Sequence, residues 1–169
     1  DVPAGEIADL GDDDGTRVRV ICGEYKGKRG PVVGIAAEPR YLDIWVPPGK
    51  RKVFPVDTYR SAFAYIFEGS ATFRDASKPF GVLVEKEVNG EEVHLRDMSG
   101  NRTLVVFDTG DEVVVQAGEK GVRFLLISGA PLKEPVAWHG PIVMNTREEL
   151  VTAVNELRAG TFIKEGVRM

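Results

Sequence analysis

The punctuation of this chain constrains its fold more than any single motif. Short runs rich in β-branched and aromatic residues, at 18–21, 41–46, 62–67, 103–107, 112–116 and 122–127, are separated by turns built on glycine and proline. Two more runs, 82–88 and 92–96, flank Asn89-Gly90, whose residues both accept positive φ and favour a hairpin. Turn signals recurring every roughly 8–12 residues point to an antiparallel sandwich or barrel. One helix is expected over 147–159. Thr146 and Glu149 have the spacing of a capping box. Leu150, Val154 and Leu157 recur at helical spacing with Val151 beside them, and Gly160 supplies the stop.

Composition narrows the function classes. A chain of 169 residues suits one domain, burying about two-thirds of its unfolded surface. The net charge is −4 and no basic run exists, which disfavours direct contact with nucleic-acid phosphates. No apolar stretch approaches the roughly 20 residues that span a bilayer. No secretory signal is visible, so a cytoplasmic protein is expected. The chain begins at Asp1 rather than Met, which fits a processed or excised piece. Cys22, the only cysteine, sits in an apolar run and reads as a small core residue in a reducing compartment. The run Asp12-Asp13-Asp14-Gly15 lacks the alternate-position oxygens of a calcium loop and reads as part of a solvated arm over 1–15.

The stretch from Arg123 to Leu150 passes from an apolar strand through a Gly/Pro-punctuated crossing into the capped helix. It resembles the closing segment of the pirin family, whose members are two-barrel cupins. The segment from Gly15 to Glu24, followed by Gly30-Pro31, is similar to the start of the pirin second half. The resemblance is strong over 123–150, moderate over 15–75 and poor over 76–104. It implies an all-β cupin double-stranded β-helix, a jelly-roll barrel, with a C-terminal helical tail. The expected division is an arm at 1–15, a barrel at 16–130 with a hairpin insertion at 76–104, and a crossing segment plus helix at 131–169.

Cupins hold a metal with two motifs. The first reads Gly, five residues, His, any residue, His, three or four residues, Glu, six residues, Gly. Histidine and carboxylate donors in that pattern suit iron and similar divalent ions. Gly49 and Gly69 frame the first motif here, but its donor positions fall on Pro55, Asp57 and Ala62. The second motif lands on 110–125, with Gln116 at its proline, Gly118 kept, Gly121 at its histidine and Leu125 at its asparagine. One carboxylate makes no transition-metal site. No metal cofactor is therefore expected in this chain, and iron or another divalent metal enters only if an N-terminal barrel exists. His94 and His139 lie outside the motif spacing and read as surface or structural residues.

Two-residue alternation from Gly121 carries Arg123 into the barrel, where an Asp57–Arg123 ion pair would fill the space of a metal as a vestigial pocket, the alternative being two unrelated, partly solvated charges. Three functions follow as expectations. The first is a metal-free, non-catalytic scaffold or interaction domain, with Trp138, Ile142, Val143 and Met144 as interface residues. Its partner would be an N-terminal barrel or a second copy in a symmetric dimer. The second rests on the resemblance to quercetin 2,3-dioxygenases and places the active site in a missing N-terminal barrel. The third is a small-molecule binder using the emptied barrel, with Asp57, Tyr65, Phe67 and Arg123 as pocket-lining candidates, although Tyr65 and Phe67 alternate to the opposite face from Ala62.

Overall fold

The apolar alternation becomes antiparallel strands. The computed structural model describes residues 2–73 and 98–164 in full and the backbone of 80–83. The Asn89-Gly90 hairpin, with His94, lies outside the described residues. The elements in chain order are β1 (Ala8–Gly11), β2 (Arg17–Cys22), β3 (Glu24–Tyr25), β4 (Lys28–Arg29), β5 (Arg40–Val46), β6 (Arg51–Pro55), β7 (Ser61–Thr72), β8 (Phe80–Leu83), β9 (Ser99–Gly100), β10 (Thr103–Val106), β11 (Glu112–Gly129), β12 (Ala137–His139), β13 (Ile142–Met144) and helix α1 (Arg147–Ala159). They form two units, 1–131 and 132–169.

The first unit is built on one antiparallel sheet in the order β1-β2-β5-β11-β7-β10-β8, with β6 also on β11 and β9 on β7. In β5, Leu42, Ile44 and Val46 point inward and are fully buried, while Tyr41, Asp43 and Trp45 between them are half-buried on the outer face. In β7, Ala62, Ala64 and Ile66 point inward and Phe63, Tyr65 and Phe67 outward. The interior is aromatic and aliphatic. Phe124 meets both Phe54 and Phe73 edge-on, with centroids 6.1 and 5.7 Å apart. Such pairings add to simple burial and leave a well-packed core.

Two expectations change. The runs 112–116 and 122–127, read as separate strands, are one strand, β11, because the segment between them is a bulge rather than a turn. Its register against β7 slips between Ala117 and Val122, and again between Arg123 and Phe124. Gly69 and Gly121 face each other there with φ of 72° and 78°, a region that penalises every other residue type. A side chain on Gly69 would fall on the Gly121 carbonyl oxygen, and one on Gly121 would come within 2.7 Å of the Trp45 ring. The other change is at the start of the chain. The stretch 1–15 is not an arm throughout, since its residues 8–11 form β1 on β2, a long-range pairing that local composition does not announce.

In the second unit, β12 and β13 form a hairpin within the expected crossing segment. Helix α1 has the expected bounds and caps. The Glu149 amide donates to the Thr146 hydroxyl at 3.2 Å, the Thr146 amide donates to the Glu149 carboxylate at 2.9 Å, and Gly160 closes the helix in the left-handed region. Leu150 and Ala153 pack on Ile142 in a small cluster of their own.

Candidate functional site

The four positions expected to carry cupin metal donors do not assemble a site. Pro55 is exposed at the end of β6, and Ala62 is buried but has no donor atom. Gly121 is spent on the bulge. Asp57 lies in the turn after β6, where its carboxylate accepts from Arg60 Nε at 2.9 Å and its backbone carbonyl accepts from the Arg60 amide. Its side chain is 63% exposed. Among the described residues, no three His, Cys, Asp or Glu side chains gather in metal-binding reach. These residues do not fit a transition metal.

The expected Asp57–Arg123 pair does not form. Arg123 instead forks onto Asp43 of β5, with Nε to Oδ1 at 2.9 Å and Nη2 to Oδ2 at 2.6 Å. The reason lies in the bulge. Val113, Val115 and Ala117 point inward, but beyond the slip it is Val122, Phe124 and Leu126 that do so. The alternation shifts by one residue, and Arg123 emerges on the outer face. There its guanidinium stacks over Phe67, 5.1 Å from the ring centroid. Tyr65 and Phe67 are on that outer face too, as their alternation with Ala62 requires. The barrel interior therefore holds no Asp57–Arg123 pocket.

The outer face carries a graded row of charge instead. Asp9 pairs with Arg19 across β1–β2, and Arg19 stands opposite Asp43 across β2–β5. Asp9 Oδ2 accepts from Arg17 at 2.6 Å and from Arg19 at 3.3 Å. Arg17, Arg19, Asp43, Trp45, Glu68 and Arg123 line an open cleft of about 300 Å³. The Asp43–Arg123 fork is its most enclosed element, with side chains 13% and 33% exposed. Asp43 went unnoticed as a partner, although Leu42 and Ile44 on either side already place it outward. Arg123, the lone charge in 122–127, carried the same signal.

The three consecutive aspartates are ordered by lysine rather than left to solvent. Lys52 Nζ lies 2.5 Å from Asp12 Oδ2 and 2.9 Å from Asp14 Oδ2, and Lys26 donates to Asp12 Oδ1 at 2.6 Å. The hydrogen bond from Lys52, seconded by the Thr16 amide, holds the Asp14 carboxyl well below the usual range. Burial opposes ionisation of Asp12, but the hydrogen bonds from Lys26 and Lys52 outweigh it and lower its pKa as well. Cys22 is buried, with its thiol directed at the Val32 carbonyl oxygen 3.2 Å away.

The expected interface residues divide by strand parity. Trp138 is 75% and Val143 57% exposed, whereas Ile142 is buried against the helix and Met144 packs on the same cluster. Only the first two present a free apolar surface. His139 is exposed on β12.

Residues 41–163 match the family model of the pirin C-terminal cupin domain. The chain belongs to the pirin family. It is 35% identical over 151 residues to a pirin-like protein of Caulobacter vibrioides, covering 89% of this chain and 47% of that one. It is 32% identical over 158 residues to Pirin-1 of Arabidopsis thaliana, covering 92% and 47%. Among solved structures, a quercetin 2,3-dioxygenase from Acinetobacter baumannii aligns with a TM-score of 0.76 at 25% identity, covering 95% of this chain and 49% of that one. The chain thus spans about half the length of the pirins it matches. The all-β cupin architecture with its C-terminal helix is the pirin one.

Two stability measurements test the charge assignments of this pirin barrel. Asp43→Asn removes the acceptor of a partly enclosed fork and is expected to cost about 1–2 kcal/mol in urea unfolding. Asp57→Asn, in an exposed i,i+3 pair, is expected to stay within about 0.5 kcal/mol. The reverse order would restore the inward reading of Arg123. Lowered carboxyl pKa values add stability above the unfolded value of 3.8 that is lost as pH falls below it. Lys52→Met is therefore expected to cost about 1–3 kcal/mol at pH 7 and to flatten the loss of stability between about pH 4 and pH 2. An acid slope as steep as in the unaltered chain would show that Lys52 does not set it.

Proposed function

We propose that this chain is the metal-free, non-catalytic barrel of a pirin-type protein and serves as a scaffold or interaction domain. One observation carries the reading: the places where a cupin keeps its metal donors are taken by Pro55, an outward Asp57, Ala62 and the bulge residue Gly121. The interior around them is filled by side chains such as Phe54, Phe124 and Ile66, which are fully buried. Hydrocarbon at native density offers neither ligands nor room for a substrate.

A second reading concerns the longer protein. Likeness over half of a solved quercetin 2,3-dioxygenase favours a parent in which another barrel performs dioxygenase chemistry. In that protein this barrel would support the catalytic one without touching the reacting atoms. The exposed pair Trp138 and Val143 on the β12–β13 hairpin favours contact with such a barrel, or with a second copy when the chain is alone.

Elemental mass spectrometry of the purified chain, dialysed without chelator, tests the first reading. Less than about a tenth of an equivalent of any transition metal is expected, since one carboxylate is too poor a donor set. Near-stoichiometric iron, manganese, nickel or zinc would sink it. Light scattering coupled to size exclusion tests the surface. The unaltered chain is expected to self-associate and the double variant Trp138→Ser, Val143→Ser to run as a monomer. A sharply monomeric unaltered chain would remove that hairpin as an interface between copies.

A further inference from the structure

The cleft on the outer face of the sheet is built from residues that the metal-free reading does not use. Arg17, Trp45, Arg123 and Glu68 stand in register on four neighbouring strands, β2, β5, β11 and β7. At a strand spacing of about 4.8 Å, the row is about 14 Å long at the backbone. The side chains at its two ends, Arg17 and Glu68, border the same cleft. The open space of about 300 Å³ accommodates one substituted aromatic ring.

The groups around it differ in how fully their bonding capacity is used. Arg123 gives two N–H donors to the two oxygens of Asp43 through the fork and lays its face over Phe67. Arg17 and Arg19 do not reach that state. Each has five N–H donors, yet both converge on the single Oδ2 atom of Asp9, through one N–H each. Arg19 approaches Asp43 only to 4.0 Å, beyond hydrogen-bond range. Their side chains are 62% and 48% exposed, so the pairs with Asp9 are readily exchanged for another anion. At the opposite end, Glu68 is exposed and stands opposite Arg123, whose cation its charge stabilises. An ionised carboxylate only accepts, so it would repel a second anion there and favour a donor.

Between the two ends lies an indole. Trp45 borders the cleft, and the missing side chain of Gly121 gives its ring a seat. An aromatic surface set between an anion-seeking end and a donor-seeking end selects by stacking as well as by charge.

We propose that this cleft binds a small aromatic carboxylate. Its carboxylate would be held by Arg17 and Arg19, its ring would lie over Trp45, and a hydroxyl at the opposite end would donate to Glu68. The site lies outside the barrel interior and stands or falls separately from the metal-free scaffold reading.

The test is a titration of the ¹⁵N-labelled 169-residue chain with 4-hydroxybenzoate, read at the two indole N–H signals and assigned with Trp138→Phe. The Trp45 signal is expected to shift saturably with a Kd of about 1 mM, as suits one ring and one charge pair. Benzoate is expected to bind about three- to tenfold more weakly, and acetate not to saturate. Arg17→Met with Arg19→Met should weaken 4-hydroxybenzoate at least about tenfold while the spectrum stays dispersed. Glu68→Gln should change the affinity for 4-hydroxybenzoate and leave that for benzoate in place. Should the double arginine variant not fold, raising salt from about 0.05 to 0.5 M must weaken binding to the unaltered chain. The proposal is overturned by the absence of a saturable Trp45 shift up to about 20 mM ligand. It is equally overturned by an affinity indifferent to both the arginine pair and salt, or by acetate binding as well as 4-hydroxybenzoate.

Discussion

The close crossing of β7 and β11 at Gly69 and Gly121 is the constraint on which the barrel depends. Neither position has room for a side chain, since each would strike the other strand's backbone or the ring of Trp45. Both also adopt positive φ, which glycine alone takes without cost. The crossing lets two long strands change direction without ending. It lets β11 serve β6 with its first half and both β5 and β7 with its second. The packed interior around Phe124 and the charged outer face around Arg123 both follow from how that strand leaves the bulge.

On the metal-free reading proposed above, this explains how a barrel can keep a cupin framework without cupin metal donors. Of the framing glycines, Gly69 answers to the backbone geometry of this crossing, where a side chain would meet the Gly121 carbonyl. Metal donors answer only to the ion. With Pro55, Ala62 and an outward Asp57 at those positions, the strands pair and the interior fills, because burial of hydrocarbon favours the fold and unpaired polar groups would oppose it. Conversely, the acidic loop at 12–14 looked dispensable and is tied to the barrel by Lys52, a residue of β6 nearly forty positions away.

Much of the fold was legible in the sequence because it rests on local signals. The apolar alternation of Leu42, Ile44 and Val46 names both a strand and its buried face. The capping box of Thr146 and Glu149 and the closing Gly160 give the helix its two ends. Other features escaped because they are settled between distant segments. Whether 112–116 and 122–127 are two strands or one depends on what lies opposite the intervening residues. That β1 exists depends on a free edge at β2. The candidate site failed for the same reason. One residue of slip before Gly121 turns that glycine toward Trp45 on the outer face, and Arg123, two residues on, follows it to Asp43. The contrast between an arginine and its apolar neighbours Val122, Phe124 and Leu126 would have corrected the direction, though not supplied the partner.

The slip also gives the short segment 118–121 a second role. It works as a phase setter between two halves of β11 that keep opposite alternations. Its chemistry is loosely held only at Glu119 and Lys120, which are exposed between two glycines that have no room for a side chain. Its length is not. Removing one residue would bring the halves into a common phase, with Val122, Phe124 and Leu126 following Val113, Val115 and Ala117 inward without a slip, and would abolish the bulge that sets Gly121 against Gly69. The count of residues in this bulge and its two glycines are thus under tighter constraint than the identity of Glu119 and Lys120. Among related barrels, variation here should take the form of substitution and not of insertion or deletion.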